Sequence, residues 1–401
     1  SKYSTKATYL LWYTHSEFEP STMLLQAILF ALFVAGFTGI SVMYGVGAEE
    51  WTPPSPLPTL EHNDLMLKYG ERIFEGEALG PESITADSRT GWIYTGLMNG
   101  QIIRFKDPSH KEIFTWLNPT CVNSQAHKAK TYAEYDHMME PICGRPLGMR
   151  VDEDNNALLV IDAYSGLRSI DLDTREIRAL STGSKFANDF DFDGDDIYFT
   201  ESSPRWGRNR VVIEVVAAKH HASMLHLDRK TGEKTVLVTN MTMTNGLTLS
   251  HDRERVYFVS GPAIHSWNRK TTQFEGKAID NLPCVPDNIR RHPDGKTYLL
   301  ACGGRRTKPF ALLDFLAPYP TLREVLLFVL GQNQHYIIPL MPVHSMVLRL
   351  DLEKGEIISS VQDPTGSMGF CSEAEKVGDY LYIGSWLQNF IVRMPWDKTG
   401  F

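Results

Sequence analysis

The sequence predicts an all-β fold, a six-bladed β-propeller, with an N-terminal transmembrane helix ahead of it and a short helical lid inserted late in the ring. Two observations predict this: a weak unit that recurs six times from about residue 71 onward, and one uncharged stretch before it. Each unit has a polar start, an apolar/polar alternation, a turn rich in Asp and Gly, and then an aromatic or aliphatic strand. The instances are ESITADSRTGWIYTG from Glu82, LGMRVDEDNNALLVID from Leu147, NDFDFDGDDIYFTE from Asn188, NGLTLSHDRERVYFVS from Asn245, DNIRRHPDGKTYLLAC from Asp287 and SEAEKVGDYLYIGS from Ser372. A second hairpin follows each, as in GLRSIDLDTREI and SMVLRLDLEKGEI. Period-2 alternation closed by Asp/Gly turns is the strand-and-hairpin signal, and six such four-stranded units make a propeller. A parallel α/β sheet would need helical crossovers, and the chain offers a single convincing helix. The last unit is short of a strand after Pro395, so the segment around Arg72–Phe74 is expected to return and close the ring, hiding its edges.

In chain order, residues 1–23 are expected to form a cytoplasmic tail, 24–48 a signal-anchor helix, 49–70 a linker and 71–401 the propeller. From Leu24 to Ala48 the chain has no charge, and about 20 apolar residues suffice to cross hydrocarbon. Lys2 and Lys6 precede this stretch, Glu49 and Glu50 follow it, and the next cation is Lys68. That bias predicts a single-pass type II membrane protein at the plasma membrane or an endomembrane, with the propeller extracellular or lumenal. The competing reading is a secretory signal cleaved after Val46-Gly47-Ala48. Cys121 and Cys143 sit in a Pro- and Gly-punctuated connection that suits a loop-closing disulfide, against the alternative of two free thiols. Cys284, Cys302 and Cys371 read as buried strand cysteines. Asn240-Met241-Thr242 is a glycosylation sequon on Asn240.

The composition is 42% apolar, 11% aromatic and 22% charged, which excludes a disordered or collagen-like chain. Forty Lys+Arg against 48 Asp+Glu leave a net charge of −8, so no nucleic-acid partner is expected. Between Gly303 and His344 lies one long insertion, in which Leu322, Val325, Leu326, Val329 and Leu330 fall at helical spacing while Leu327 and Phe328 make the helix apolar nearly all round. It reads either as a helix buried on the propeller face or as a cap over the tunnel mouth, with residues 310–341 touching substrate or the bilayer.

In a propeller the first residues of each innermost strand point at the central channel, so equal positions of the repeat converge. Those positions hold Glu82, Leu147, Asn188, Asn245, Asp287 and Ser372, with Asn288 beside Asp287. Two carboxylates with several carboxamides form a hard, oxygen-only cage suited to Ca²⁺, whereas zinc would recruit His or Cys. Taken singly, each Asn-Asp, Asn-Gly or Asp-Asn is an ordinary turn pair. Their recurrence at one repeat position is what points to a metal.

Gly80-Pro81-Glu82-Ser83, Cys143-Gly144-Arg145-Pro146-Leu147-Gly148, Asn188-Asp189, Asn245-Gly246 and Pro286-Asp287-Asn288-Ile289-Arg290 together resemble the strictosidine-synthase-like family. The resemblance extends over Leu313-Asp314-Phe315-Leu316 and Tyr380-Leu381-Tyr382-Ile383-Gly384-Ser385, and so runs from about Glu71 to Trp396. It implies a propeller with calcium in the tunnel, shared with paraoxonases and gluconolactonase-like lactonases. The implied ligands are Glu82, Asn188, Asn245, Asp287 and Asn288. Two departures stand out. The positions matching the paraoxonase histidine pair are Leu147 and Ala163, which cannot move a proton. The position matching the strictosidine synthase glutamate is Ser372, with Glu373 next along the strand and so expected on the opposite face.

Strictosidine synthase activity is therefore not expected. The function expected is a membrane-anchored, calcium-dependent hydrolase of arylesterase or lactonase type acting on a fairly apolar ester or lactone. Glu82 or Asp287 would double as its general base, since His220, His221 and His226 lie away from the channel position. The alternative is a non-catalytic cell-surface propeller for adhesion or recognition, with calcium as a structural pin.

Overall fold

A computed structural model describes residues 27–33, 35–36, 47–123, 128–330, 338 and 343–401. Within them the chain forms six antiparallel sheets of four strands each, and five are built from consecutive strands. The sixth takes Cys371–Val377, Tyr380–Ser385 and Ile391–Pro395 and adds Glu71–Ile73 as its outer strand. Glu71 lies opposite Arg393, and Ile73 opposite Ile391. The ring is thus closed between the first and last strands of the chain, as the short last unit requires. Arg72 lies over the Phe390 ring at 4.5 Å and the Arg393–Glu71 ion pair spans the seam.

The Asp/Gly turns work by side-chain acceptance. Asp171 Oδ1 accepts from the backbone of Asp173 and Thr174, at 3.0 and 2.7 Å, and Asp294 Oδ1 does the same for Lys296 and Thr297. Such Asx turns replace the backbone bonds that a tight reversal cannot make. Packing lies between blades. Leu147, Leu159 and Ile161 of the second blade meet Phe186, Phe190 and Phe199 of the third. Tyr257 and Val259 of the fourth likewise meet Ile289, Leu300 and Met346 of the fifth. Because a middle strand has a neighbouring blade on each face, Ala157–Asp162 is buried at every position.

Three departures from the sequence reading concern local structure. The run Val211–Ala217, rich in β-branched residues, is a helix. Arg323 donates to the carbonyls of Val216 and Ala217 at its end, and Ala218 turns left-handed at φ 51°, so tertiary capping overrides a weak propensity. Among its described residues the insertion holds two helices rather than one, Leu312–Leu316 and Pro320–Leu330, and the second packs on Val211–Ala217. Residues 331–337 and 339–342 of the insertion lie outside the described residues. The expected linker is bound to the propeller face: Pro54, Pro56 and Glu61 give their carbonyls to Arg306, Asn281 and Gln362 at 2.7–2.9 Å, and Met66 of the helix Leu65–Tyr69 is fully buried.

Cys121 and Cys143 form a disulfide across 22 residues. A second joins Cys284 and Cys302 on adjacent strands of the fifth blade, a pairing that burial alone did not indicate. Cys371 keeps its thiol, and burial pushes its pKa up to about 12. Asn240 is exposed on the outer strand Lys234–Thr242. The expected tail 1–23 and most of the span 24–48 lie outside the described residues. Residues 27–33 and 35–36 are helical, and among the described residues no helix is long and apolar enough to cross a membrane.

Candidate functional site

The inner strands of the ring break register at one level. Pairing jumps from Pro146 to Met149, from Ala187 to Phe190, from Thr244 to Leu247, from Pro286 to Ile289 and from Cys371 to Glu373. The residues skipped include Leu147, Asn188, Asn245, Asp287, Asn288 and Ser372, the positions that the repeat singles out. In the first blade Glu82 and Ser83 lie just ahead of the strand Ile84–Ala86. A bulge frees a residue from the ladder and re-aims its side chain, so the broken register is what lets Asn288 reach Glu82 and Asn245 reach Asp287.

Close approach between neighbouring inner strands holds the bulges in place. A Cβ on Gly246 would lie 2.5 Å from Asn288 Cα, and one on Gly148 would lie 2.3 Å from Asp189 Oδ1. Asn288 Nδ2 donates to Glu82 Oε1 at 3.0 Å, and Asp287 is hydrogen-bonded to Asn245. Asn188 spends its amide nitrogen on Ser202 Oγ at 2.9 Å, which leaves its carbonyl oxygen for another partner. Glu82, Asn188, Asp287 and Asn288 are buried, and Asn245 is half-buried. Glu82 Oε2, Asn245 Oδ1 and Asn288 Oδ1 are buried without a hydrogen-bond partner.

Unpaired buried oxygens cost free energy. The carboxylates register this directly. Burial pushes the Glu82 pKa up to about 8; Arg145 opposes the rise, while Asp189 and Glu373 add to it. Burial, and then the neighbouring Glu82, raise Asp287 well above the carboxylate range. A cation among these oxygens would relieve both effects, so the donor set fits a hard dication. Among the described residues no group of three or more His, Cys, Asp and Glu side chains is arranged to hold a metal. The candidate donors are two carboxylates and three carboxamides.

Ser372 Oγ donates to the Glu82 carbonyl at 2.6 Å, a backbone brace. Leu147 and Ala163 are packed in the apolar layer with Phe186. Glu373 corrects the alternation argument. The register jump ahead of it cancels the face switch, and Glu373 accepts from Ser83 Oγ at 2.9 Å and pairs with Arg290. Arg290 also pairs with Asp189 at 2.7 Å, and Arg150 Nη2 lies 3.6 Å from Asp189. The sequence reading missed this buried layer. Its signal was charge at alternate inner-strand positions, as in Asp189, Asp191, Arg290 and Glu375.

The histidines of the third blade are engaged elsewhere: His220 with Glu49, His221 with Glu214 and His226 with Asp196, at 2.6–2.9 Å. A cleft of about 410 Å³ is lined by Tyr132, Val343, Phe370 and Leu387 among others. Trp386 meets Phe370 edge-on at 5.0 Å between centroids and gives its carbonyl to Arg145, the cation beside Glu82.

This ring and its oxygen-lined axis define the class: a six-bladed propeller with a polar buried cage at one level of its inner strands. Family profiles of strictosidine synthase and of the strictosidine synthase-like N-terminal region match residues 187–270 and 62–105. Adipocyte plasma membrane-associated protein of Salmo salar is 32% identical over 86% of this chain and 82% of its own length. The chain therefore belongs to the strictosidine-synthase-like family that includes adipocyte plasma membrane-associated protein. Its fold is similar to that of a Xanthomonas campestris gluconolactonase, 12% identical with a TM-score of 0.52, over 87% of this chain and 98% of that one. It is also similar to that of the calcium-binding protein regucalcin of Agrobacterium tumefaciens, 13% identical with a TM-score of 0.50, over 81% and 93%.

Proposed function

We propose that this chain is a membrane-anchored, calcium-dependent hydrolase of arylesterase or lactonase type, acting on a fairly apolar ester or lactone. The observation that carries the reading is the set of three unpartnered buried oxygens, on Glu82, Asn245 and Asn288, beside two carboxylates with raised pKa values. Glu82, Asn188, Asn245, Asp287 and Asn288 would hold the ion. When bound, calcium supplies positive charge that polarises a carbonyl and stabilises an oxyanion. The chain's own groups do the rest. Glu82 and Asp287 are the proton acceptors at hand, and Glu82, with Oε2 uncommitted, is the better placed to take a proton from water. Arg145 lies beside Glu82 and favours its ionised form. Phe370, Leu387 and Val343 would offer apolar lining to a substrate in the cleft, whose lining includes none of the five candidate ligands. Relatives bearing the name plasma membrane-associated support membrane association, and the uncharged stretch 24–48 with its flanking charges is the basis for anchoring there with the propeller extracytoplasmic.

One observation favours a second reading. Leu147 and Ala163 place hydrocarbon where a proton-transfer pair would stand, which suits a recognition propeller with a structural calcium. Assay of the full chain with phenyl acetate and a lactone panel separates the two. The hydrolase reading expects turnover that falls about a hundredfold or more on chelation and returns with calcium. Calcium-loaded protein without turnover would reject it in favour of recognition.

A further inference from the structure

We infer that the helical insertion of the fifth blade is a lipid-docking face that lays the propeller on the bilayer, an inference that rests on residues 24–48 being membrane-embedded. Phe310, Leu312, Phe315, Tyr319 and Leu322 are each 44–56% exposed. Three of them form one aromatic string, with Phe310–Phe315 centroids at 5.6 Å and Phe315–Tyr319 at 6.1 Å. Contiguous apolar exposure on this scale marks an interaction site.

The charges of the segment say which way it faces. Between Pro309 and Leu330 the sequence has three, Asp314, Arg323 and Glu324, and all are drawn into the protein. Asp314 pairs with Arg306 at 2.7 Å. Arg323, 1% exposed, donates to the carbonyls of Val216, Ala217, Ala317 and Glu49. Glu324 accepts from Ala48 N at 2.9 Å. What remains outward is hydrocarbon and neutral polar groups, flanked by the exposed cations Arg305 and Lys308. An apolar face bordered by cations matches acyl chains and phosphate headgroups together.

Position supplies the occupant. Ala48 ends the uncharged stretch, and Ala48 and Glu49 are fastened to this same helix pair, with Glu49 N donating to Ala217 O at 2.9 Å and the Glu49 carboxylate meeting Lys219 at 3.2 Å. A chain leaving the bilayer at residue 48 therefore has no free tether. The segment that follows stays strapped to the propeller through Arg306, Asn281 and Gln362. The apolar face and the exit point are held together, so a lipid surface that receives one meets the other.

The test uses the full chain reconstituted in phosphatidylcholine/phosphatidylserine vesicles. Leu312→Cys and Phe315→Cys, two independent exposed positions, are each labelled with an environment-sensitive fluorophore, Cys371 being buried. Phe274→Cys is the control, on the outer strand of the fourth blade at 44% exposure. A face entering about 5–10 Å into the interface should give blue-shifted emission at 312 and 315, quenched several-fold more by nitroxide-bearing lipid than at 274. Vesicles that float with the protein while all three positions are quenched alike would overturn the docking face and leave the anchor standing. A blue shift without lipid quenching would assign the face to a protein partner or another segment of this chain, and would also overturn it. Protein that fails to float would overturn the anchoring and this inference together.

Discussion

Glu82 is the residue on which electrostatics and chemistry meet. Its pKa rises from an ordinary 4.5 to about 8 on burial, so without metal the folded state holds a proton that the unfolded chain has released across that window. The folded state then binds more protons than the unfolded state, and stability falls as pH rises from about 4.5 through about 8. Thermal melts of chelated protein should show this loss, on the order of a few kcal/mol, and Glu82→Gln should reduce it, the remainder coming from Asp287 and Glu375, whose pKa values burial also raises. A chelated wild type whose stability does not fall over that range would refute the account of this carboxylate. At this scale the sequence was informative, because repeat position alone brought out Glu82, Asn188, Asn245 and Asp287 across four blades. It left Arg290 without a role and put Glu373 on the wrong face. Their roles depend on which blade faces which, and on a bulge that inverts the alternation at Glu373.

Among the elements, the inner strands do the positioning, and their glycines are the test. Gly246→Ala puts a methyl group 2.5 Å from Asn288 Cα, against backbone that cannot step aside without moving Asp287 and Asn288. Overpacking of this kind costs about 1–3 kcal/mol, and calcium affinity should fall with stability. Gly304→Ala is the comparator, since its nearest neighbour is Val285 Cγ2 at 3.9 Å, and it should change stability by less than about 0.5 kcal/mol. Paired melts and calcium titrations of the two variants check this, and equal behaviour would contradict it. The strands were legible because alternation and Asp/Gly turns are local signals. The helix Val211–Ala217 was not, because its stop comes from Arg323, more than a hundred residues away. Pairing of Cys284 with Cys302 was hidden for the same reason, since it needs the register of two strands.

For the whole molecule, the issue is charge along the axis. Arg290 and Arg150 answer Asp189 and Glu373, while Asp191 is held down to about 2 because Arg291 and Arg150 outweigh its burial. That layer consumes its own cations. Glu82 is left mainly with Arg145, itself shared with Glu140, while Asp287 faces the carboxylates Glu82, Glu373 and Asp189. A ring that is closed by hydrogen-bonded strand pairing, Glu71–Ile73 against Ile391–Pro395, tolerates this imbalance only at a cost in stability that a dication would remove. The account stands on that ion. Equilibrium dialysis of calcium against the full chain, with wild type beside Asp287→Ala, measures it directly. The prediction is one calcium per wild-type chain and none retained by Asp287→Ala at the same free concentration. Calcium bound equally by both proteins, or by neither, would contradict the cage at the centre of this reading.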